Sequence, residues 1–365
     1  QLDRGFQVLL TGYPEAANLL DYPALRLHSF YPGALVRCAG GFHRISDPLR
    51  RPQDLFSSLT GPIGSWRDKL TILRLRQDAL NHRICAQAGG GDRTTLEALQ
   101  AYGFSPAMRE RFLRPFLGGV FLDQSLSTPC RLFEFVWAAF SRGDIALPET
   151  GMGAIAAQLA SSLPAGSIRL GVPVAELDAK QLILGSGERL SADALVLATD
   201  YATAARLRGE PVPAAPGRSS TTLYFEAAAP PVSGPWLLLN GEEQGPIGTA
   251  CVLSEVAPDY APPGRALISV SLAEQTGSVG EDQQPAIRAQ LREWFGATVD
   301  GWRHLRTDHI SRALAPIALL GAQQGSASPR LRPGLYQCGD YCETGTLDGA
   351  LLSGRHAADA ILADL

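Results

Sequence analysis

The pattern that most restricts this chain lies near its C-terminal end. Gly334-Leu-Tyr-Gln-Cys-Gly-Asp340 is followed by a short loop and then by Gly345-Thr-Leu-Asp-Gly-Ala350-Leu-Leu-Ser-Gly354-Arg-His-Ala-Ala358. The first stretch predicts a strand that ends in Gly339-Asp340. The second predicts a helix that opens with small residues. In an open α/β sheet, ligands sit outside the carboxyl ends of the strands. A helix that starts there offers free N–H groups and a partial positive charge. Such a place suits a ligand with hydroxyls and an electron-poor ring carbonyl.

The rest of the chain narrows the class. Its 365 residues predict two domains or one interleaved pair. With 45% hydrophobic and 19% charged residues the chain can bury a core. A formal net charge of −4 gives no basic footprint, which argues against a nucleic-acid partner. No apolar run approaches the roughly 18–20 residues that span a bilayer, so no transmembrane segment is expected. The six cysteines Cys38, Cys85, Cys130, Cys251, Cys338 and Cys342 form no C-x-x-C pair, and the six histidines show no metal-ligand spacing. No metal site is expected. Scattered thiols and the lack of a visible signal peptide predict a reducing, cytoplasmic location. Lys69 and Lys180 are the only lysines.

Along the chain, Leu2–Leu10 reads as a strand containing a glycine. Short strands such as Ala34–Arg37 follow in a Pro/Gly-rich stretch. Ser65-Trp-Arg-Asp68 is a capping box, with Leu70, Leu73, Leu80 and Ile84 on one predicted helical face and Gly89-Gly-Gly91 at the end. Short helices are predicted at Thr95–Ala101 and after Ser105-Pro106. The aromatic run Phe112, Phe116, Phe121, Phe133, Phe135, Trp137 and Phe140 fits a helical core or the wall of an apolar substrate cavity. Gly151-Met-Gly-Ala-Ile-Ala156 matches G-x-G-x-x-A, but Pro148 interrupts the strand that a dinucleotide fingerprint needs before it. It is read as a plain helix start. Ile168–Leu177 and Gln181–Leu184 are strand-like and lead through the Gly185-Ser-Gly187 turn to the apolar run Ala194–Ala198. That run reads as a buried parallel strand. A strand-rich block at 220–273 and a helix at Gln284–Trp294 complete the reading.

Three segments together resemble the flavin-dependent amine oxidase superfamily, which includes phytoene desaturase-like and protoporphyrinogen oxidase-like enzymes. They are the C-terminal Gly-Asp and small-residue helix, the meander ending in Ala198-Thr199-Asp200, and Phe112-Leu-Arg-Pro-Phe-Leu-Gly-Gly-Val-Phe-Leu122 with Leu126-Ser-Thr128. The resemblance covers nearly the whole chain. It implies a mixed α/β, two-domain flavoenzyme fold with a Rossmann-like part and a β-meander. The FAD-binding domain would comprise residues 1–10, 150–219 and 333–365, and the substrate domain residues 11–149 and 220–332. It also implies non-covalent FAD. Asp340, after Gly339, would bond the sugar-like part. The backbone of Leu347 and Asp348 would face the pyrimidine edge of the ring. Val174 would hold adenine, with Ala198 at the end of the same meander, and Gly5, Phe6 and Gln7 would pass the isoalloxazine. The implied reaction is oxidation of a C–H bond by hydride transfer to flavin N5, the hard chemistry being the cofactor's. No catalytic side chain is assigned.

The sequence departs from the family in three ways. Neither Lys69 nor Lys180 falls where amine oxidases usually place a lysine near N5. Thr346 stands where an aromatic often walls an amine cage. Both differences favour a bulky apolar small-molecule substrate, polyene-like or tetrapyrrole-like, over a small amine. The third departure is the missing strand, G-x-G-x-x-G turn and helix that hold the FAD diphosphate. Loss of two or three backbone bonds to a charged phosphate would cost roughly 5 kcal/mol, or about a thousand- to ten-thousand-fold in affinity. The expectation is that the segment has been removed upstream of Gln1 or is missing from the chain as written; the remaining alternative is a protein that works without FAD. The rival class is a non-catalytic binder of hydrophobic ligands on the same scaffold. The oligomeric state is left open.

Overall fold

The computed structural model describes residues 1–51, 53, 62–89, 93–178, 181–212, 217–273, 283–317, 320 and 328–364. Lys180, Gly90 and Gly91 lie outside them. In chain order the strands are β1 (Leu9–Leu10), β2 (Leu27–Ser29), β3 (Gly33–Cys38), β4 (Gly41–Ser46), β5 (Ile145–Pro148), β6 (Val174–Asp178), β7 (Gln181–Leu184) and β8 (Arg189–Ser191). They continue with β9 (Leu195–Leu197), β10 (Arg218–Ala227), β11 (Leu237–Asn240), β12 (Ile247–Val252), β13 (Ala266–Leu272), β14 (Arg303–Leu314), β15 (Arg330–Arg332) and β16 (Leu335–Gln337). The chain divides into two compact units. The first holds residues 1–12, 21–156 and 218–313, and the second residues 13–20, 157–217 and 314–365.

The first unit is built on a seven-stranded sheet in the order β14-β10-β13-β12-β11-β3-β4. The pairs β10–β13, β13–β12, β12–β11 and β3–β4 are antiparallel, and β11–β3 is parallel. Strand side chains alternate between faces. Leu223 and Phe225, Ala250 and Val252, and Ile268 and Val270 therefore share one face. It packs on Ile287, Leu291 and Trp294 of the helix Gln284–Phe295. On the other face Tyr224, Cys251 and Leu267 pack with Phe30, Leu147, Leu253, Val256 and Tyr260. A small sheet β1-β5-β2 adjoins the N-terminal segment.

Local chemistry explains most helix starts here. Ser65 and Asp68 form the expected capping box at Trp66–Leu80, Thr94 and Glu97 form another at Thr95–Ala101, and Ser105 caps Pro106–Met108. The predicted apolar face of Trp66–Leu80 is corrected: its buried residues are Asp68, Leu75 and Ala79, and Leu70 is 56% exposed. Leucine spacing alone offered two faces. The Asp68 carboxylate, bonded by the amides and hydroxyls of Ser65 and Ser105, pins the other one inward.

The expected strand over Leu2–Leu10 shrinks to Leu9–Leu10, paired with β5. Gly5 has φ +79°, which breaks extended backbone. A strand does stand before Gly151, since Pro148 ends β5 rather than interrupting it, and the helix Gly153–Ser161 follows. It pairs antiparallel with β1 and β2 and so is no part of a parallel βαβ unit. Gly151 is a packing glycine: a Cβ there would lie 2.6 Å from Gln1 Nε2.

The second unit has two three-stranded sheets, β15-β16-β9 and the meander β6-β7-β8. β16 and β9 run parallel, with Leu335, Tyr336 and Gln337 opposite Leu195, Val196 and Leu197. β7 turns into β8 through Gly187 at φ +87°. The strand expected over Ile168–Leu177 starts only at Val174, because Gly171 (φ +70°) and Pro173 cut its first half. Leu195, Leu197, Leu207 and Leu335 form a small core against Val174, Leu177 and Leu182. β9 is buried on one face only, Val196 being 40% exposed.

Candidate functional site

In the second unit, Ala198 and Gly339 follow the last paired residues of two neighbouring parallel strands, since Cys338 N donates to Leu197 O at 3.0 Å. Gly339 N donates to the buried Ser353 Oγ at 2.9 Å, and Ser353 Oγ donates to Ala350 O at 2.8 Å. The strand end is thereby tied to the helix Leu347–Asp364. Gly339 must be glycine because a Cβ would overlap the Tyr341 ring. Burial pushes the Asp340 carboxyl above the ordinary carboxylate range. The Tyr341 amide offsets part of that, and the Asp200 carboxylate adds to it. A carboxylate in that condition gains from hydroxyl donors on a ligand.

The helix start is organised by threonines. Thr346 Oγ1 accepts from Gly349 N at 3.1 Å and lies 2.8 Å from Thr344 Oγ1. Gly349 keeps this turn tight, as a Cβ would fall 2.6 Å from Thr344 Oγ1. Leu347 is the first helical residue and is half-buried. The Asp348 side chain serves the fold. Its Oδ1 accepts from Glu15 N at 2.8 Å and Ala16 N at 3.0 Å. It thus satisfies the start of the helix Pro14–Leu19, which leaves only its backbone for a ligand. Glu15 in turn forms a bidentate pair with Arg355, at 2.8 and 3.0 Å. Val174 opens β6 opposite Leu184 and packs on the small core.

Gly5, Phe6 and Gln7 lie in the first unit. Gly5 N donates to Asp308 Oδ2 at 3.1 Å, and Phe6 N donates to Thr222 Oγ1 at 3.3 Å. Gln7 is exposed. A polar network holds the segment. Arg306 donates to Asp308 and to Asp3 O, Tyr224 OH to Asp3 O, and Tyr260 OH to Asp3 Oδ2. Sequence reasoning missed these supports. They stand 216 to 303 residues away from Gly5 and Phe6 and carry no local motif.

The aromatic run divides. Phe121, Phe133 and Trp137 are buried, while Phe112, Phe116 and Phe140 are half-buried; Phe112 stacks on Phe116 with ring centroids 5.7 Å apart, and Phe140 meets Phe116 at a tilt of 46° and 5.2 Å. A cavity of about 670 Å³ at one end of the seven-stranded sheet is lined by Arg114, Gln124, Asn240, Ile247 and Leu272, and by none of the predicted site residues. Lys69 Nζ is buried without a hydrogen-bond partner, and burial lowers its pKa. Among the described residues no His/Cys/Asp/Glu group could hold a metal, and no helix is long and apolar enough to cross a membrane.

For a dinucleotide flavin these residues fit at the ends. The parallel strand ends, the half-buried Asp340 carboxylate and the helix start suit the sugar and ring portions. The G-x-G-x-x-G turn for the diphosphate is not in the sequence.

The family model described as flavin containing amine oxidoreductase matches residues 2–362. No curated protein matches the chain significantly. Among solved structures it is similar to a provisionally assigned protoporphyrinogen oxidase from Exiguobacterium sp., at 16% identity and TM-score 0.70 over 99% of this chain and 88% of that one. It is also similar to a putrescine oxidase, at 15% identity and TM-score 0.68 over 100% and 88%. A third likeness is to cyclohexylamine oxidase from Brevibacterium oxydans, at 15% identity and TM-score 0.62 over 100% and 88%. At these identities the likeness is one of fold, and that fold is the mixed α/β fold of the FAD-dependent amine oxidases.

Proposed function

Because the chain belongs to the flavin containing amine oxidoreductase family, we propose that it is an FAD-dependent oxidoreductase acting on a C–H bond of a largely apolar organic small molecule. The observation that carries this reading is the parallel β9/β16 pair ending at Ala198 and Gly339-Asp340, with Gly339 tied to the helix that starts at Leu347. Bound flavin would supply the hydride acceptor, N5. The chain's own residues bind and orient. Asp340 accepts from sugar-like hydroxyls. The first helical amides, at Leu347 and Asp348, present a partial positive charge to the pyrimidine edge. Val174 holds adenine through its backbone, and Gly5, Phe6 and Gln7 pass the ring. In this reading residues 1–10, 150–219 and 333–365 serve the cofactor, and residues 11–149 and 220–332 serve the substrate.

The half-buried cluster of Phe112, Phe116 and Phe140, Thr346 in place of an aromatic wall, and Lys69 as the only described lysine favour an apolar substrate over a small amine. The second reading is a hydrophobic-ligand binder on the same scaffold with an incompetent cofactor site. Protein incubated with FAD, desalted and examined spectroscopically separates the two. The enzyme reading expects a flavin band that bleaches anaerobically with a polyene- or tetrapyrrole-like reductant. A colourless protein supports the binder, and bleaching by small primary amines contradicts the apolar-substrate assignment.

A further inference from the structure

All six cysteines are free thiols. Cys85 stands in the short helix Ile84–Gln87, and Cys130 is the first residue of the helix Cys130–Arg142. Glu134 links the two. On an α-helix, residues four apart share a face, and each side chain leans back over the turn before its own Cα. The Glu134 side chain therefore lies over the turn of Cys130. Its Oε2 accepts from Cys85 N at 2.9 Å, which sets the backbone of Cys85 against that same turn. The Cys130 amide donates to Arg93 O at 2.8 Å. Both cysteines are thus fixed by backbone bonds, and between those fixed points their side chains meet, thiol hydrogen-bonded to thiol.

The hydrogen bond to Cys130, burial and the Glu134 carboxylate push the Cys85 thiol above the ordinary thiol range. Cys85 therefore rests as a protonated thiol, which makes its reactions slow. Access and the neighbouring sulfur then decide the product. Cys85 is half-buried, whereas Cys130 is 0% exposed. An oxidant arriving from solution meets Cys85 first and leaves Cys130 beside it as the resolving thiol. The remaining cysteines differ. Cys38 and Cys251 are each 1% exposed. Cys338 acts on Cys342 through charge alone, without a bond between the thiols.

We propose that Cys85 and Cys130 are a reversible disulfide site that staples the helix Ile84–Gln87 to the helix Cys130–Arg142, closed by a small organic disulfide and reopened by a thiol. In the first step Cys85 Sγ gives up its proton and attacks R–S–S–R. The Cys85–S–S–R bond forms, the R–S–S–R bond breaks, and one R–SH leaves. Cys130 Sγ then gives up its proton and attacks Cys85 Sγ, and the second R–SH leaves. The two cysteine sulfurs lose one electron pair, and the small disulfide gains it as two thiols. The loop so closed contains Phe112 and Phe116, and Cys130–Arg142 carries Phe140, so the staple bears on the aromatic cluster. The site involves no flavin and stands or falls apart from the cofactor reading. The full chain, reduced and freed of reductant, is treated with oxidised glutathione and mapped without reduction by proteolysis and mass spectrometry. The wild type should lose one pair of hydrogens, retain no glutathione, and yield a peptide pair joined through Cys85 and Cys130 that dithiothreitol separates. Cys130→Ser should stop at the mixed disulfide, with glutathione kept on Cys85. Cys85→Ser should leave Cys130 unmodified. Should the serine variants fold poorly, Cys130→Ala and Cys85→Ala carry the same test. Wild-type protein that keeps glutathione on Cys85, that pairs either cysteine elsewhere, or that leaves both thiols free while the unfolded chain is oxidised would overturn the assignment.

Discussion

The two units of this chain are built to different standards. The first has a seven-stranded sheet packed on both faces, and its largest apolar cluster includes Leu223, Phe225, Ile268, Ile287 and Trp294. The second has two small sheets and a core of Leu195, Leu197, Leu207 and Leu335. Of the eleven large hydrophobic residues exposed among those described, eight lie in the second unit: Leu19, Leu163, Ile168, Leu170, Val196, Val212, Leu331 and Leu362. The unit that carries the Gly339-Asp340 motif therefore has the weaker core. Ligand-binding elements are often drawn from the less stable parts of a fold, and such a unit gains most from a ligand that binds only its folded form.

Breaking the stronger unit should have the largest effect. Phe225→Ala should cost about 3–5 kcal/mol, seen as loss of the higher-denaturant transition in urea unfolding. Leu197→Ala should cost about 2 kcal/mol, the low end for such a change, and should move only the lower transition. A single merged transition in wild-type protein would refute the contrast. Asp348→Ala should destabilise the second unit by about 1–2 kcal/mol by uncapping Pro14–Leu19, with Asp348→Asn recovering part of the loss. Smallest is Gly187→Ala, about 1 kcal/mol, because its φ of +87° is strained for alanine although no atom stands in the way.

Acid should discriminate within the second unit. The Arg355 guanidinium holds the Glu15 carboxyl below its ordinary value, so this pair stabilises above the unfolded pKa and fades as pH falls through the lowered folded pKa. Asp340 runs the other way. Its folded pKa is raised by burial, so its charged form costs stability at neutral pH, and that cost is relieved as pH falls through the raised value. Asp340→Asn should therefore stabilise the unit at pH 7 and flatten its pH profile between neutrality and the ordinary carboxylate range, measured by melting temperature. An unchanged profile would remove Asp340 from the account.

What the sequence showed in advance was local. The Gly339–Asp340 strand end, the helix after Thr346, the capping box at Ser65 and the meander around Gly187 are each written within a few residues, because turns, caps and strand ends are short-range devices. The supports of Gly5 and Phe6 were not legible. Thr222 of β10 and Asp308 of β14 lie 216 and 303 residues further along the chain than the amides they hold. The buried side of Trp66–Leu80 was misjudged for a related reason: leucine periodicity permits two faces, and Asp68, held by Ser65 and Ser105, decides between them. The register that sets Thr222 opposite Ser271, and Ser271 opposite Thr249, is likewise a product of strand pairing that no single segment encodes.

The most direct test of the central claim is amide hydrogen exchange of the full chain with and without saturating FAD. The account predicts slowed exchange at Ala198, Gly339 and Leu347–Gly349, with added stability of about 1.4 kcal/mol at a tenfold excess of FAD over its dissociation constant. The core amides of β12 and β13 should be unchanged. Protection absent from the second unit, or spread evenly over both, would contradict it.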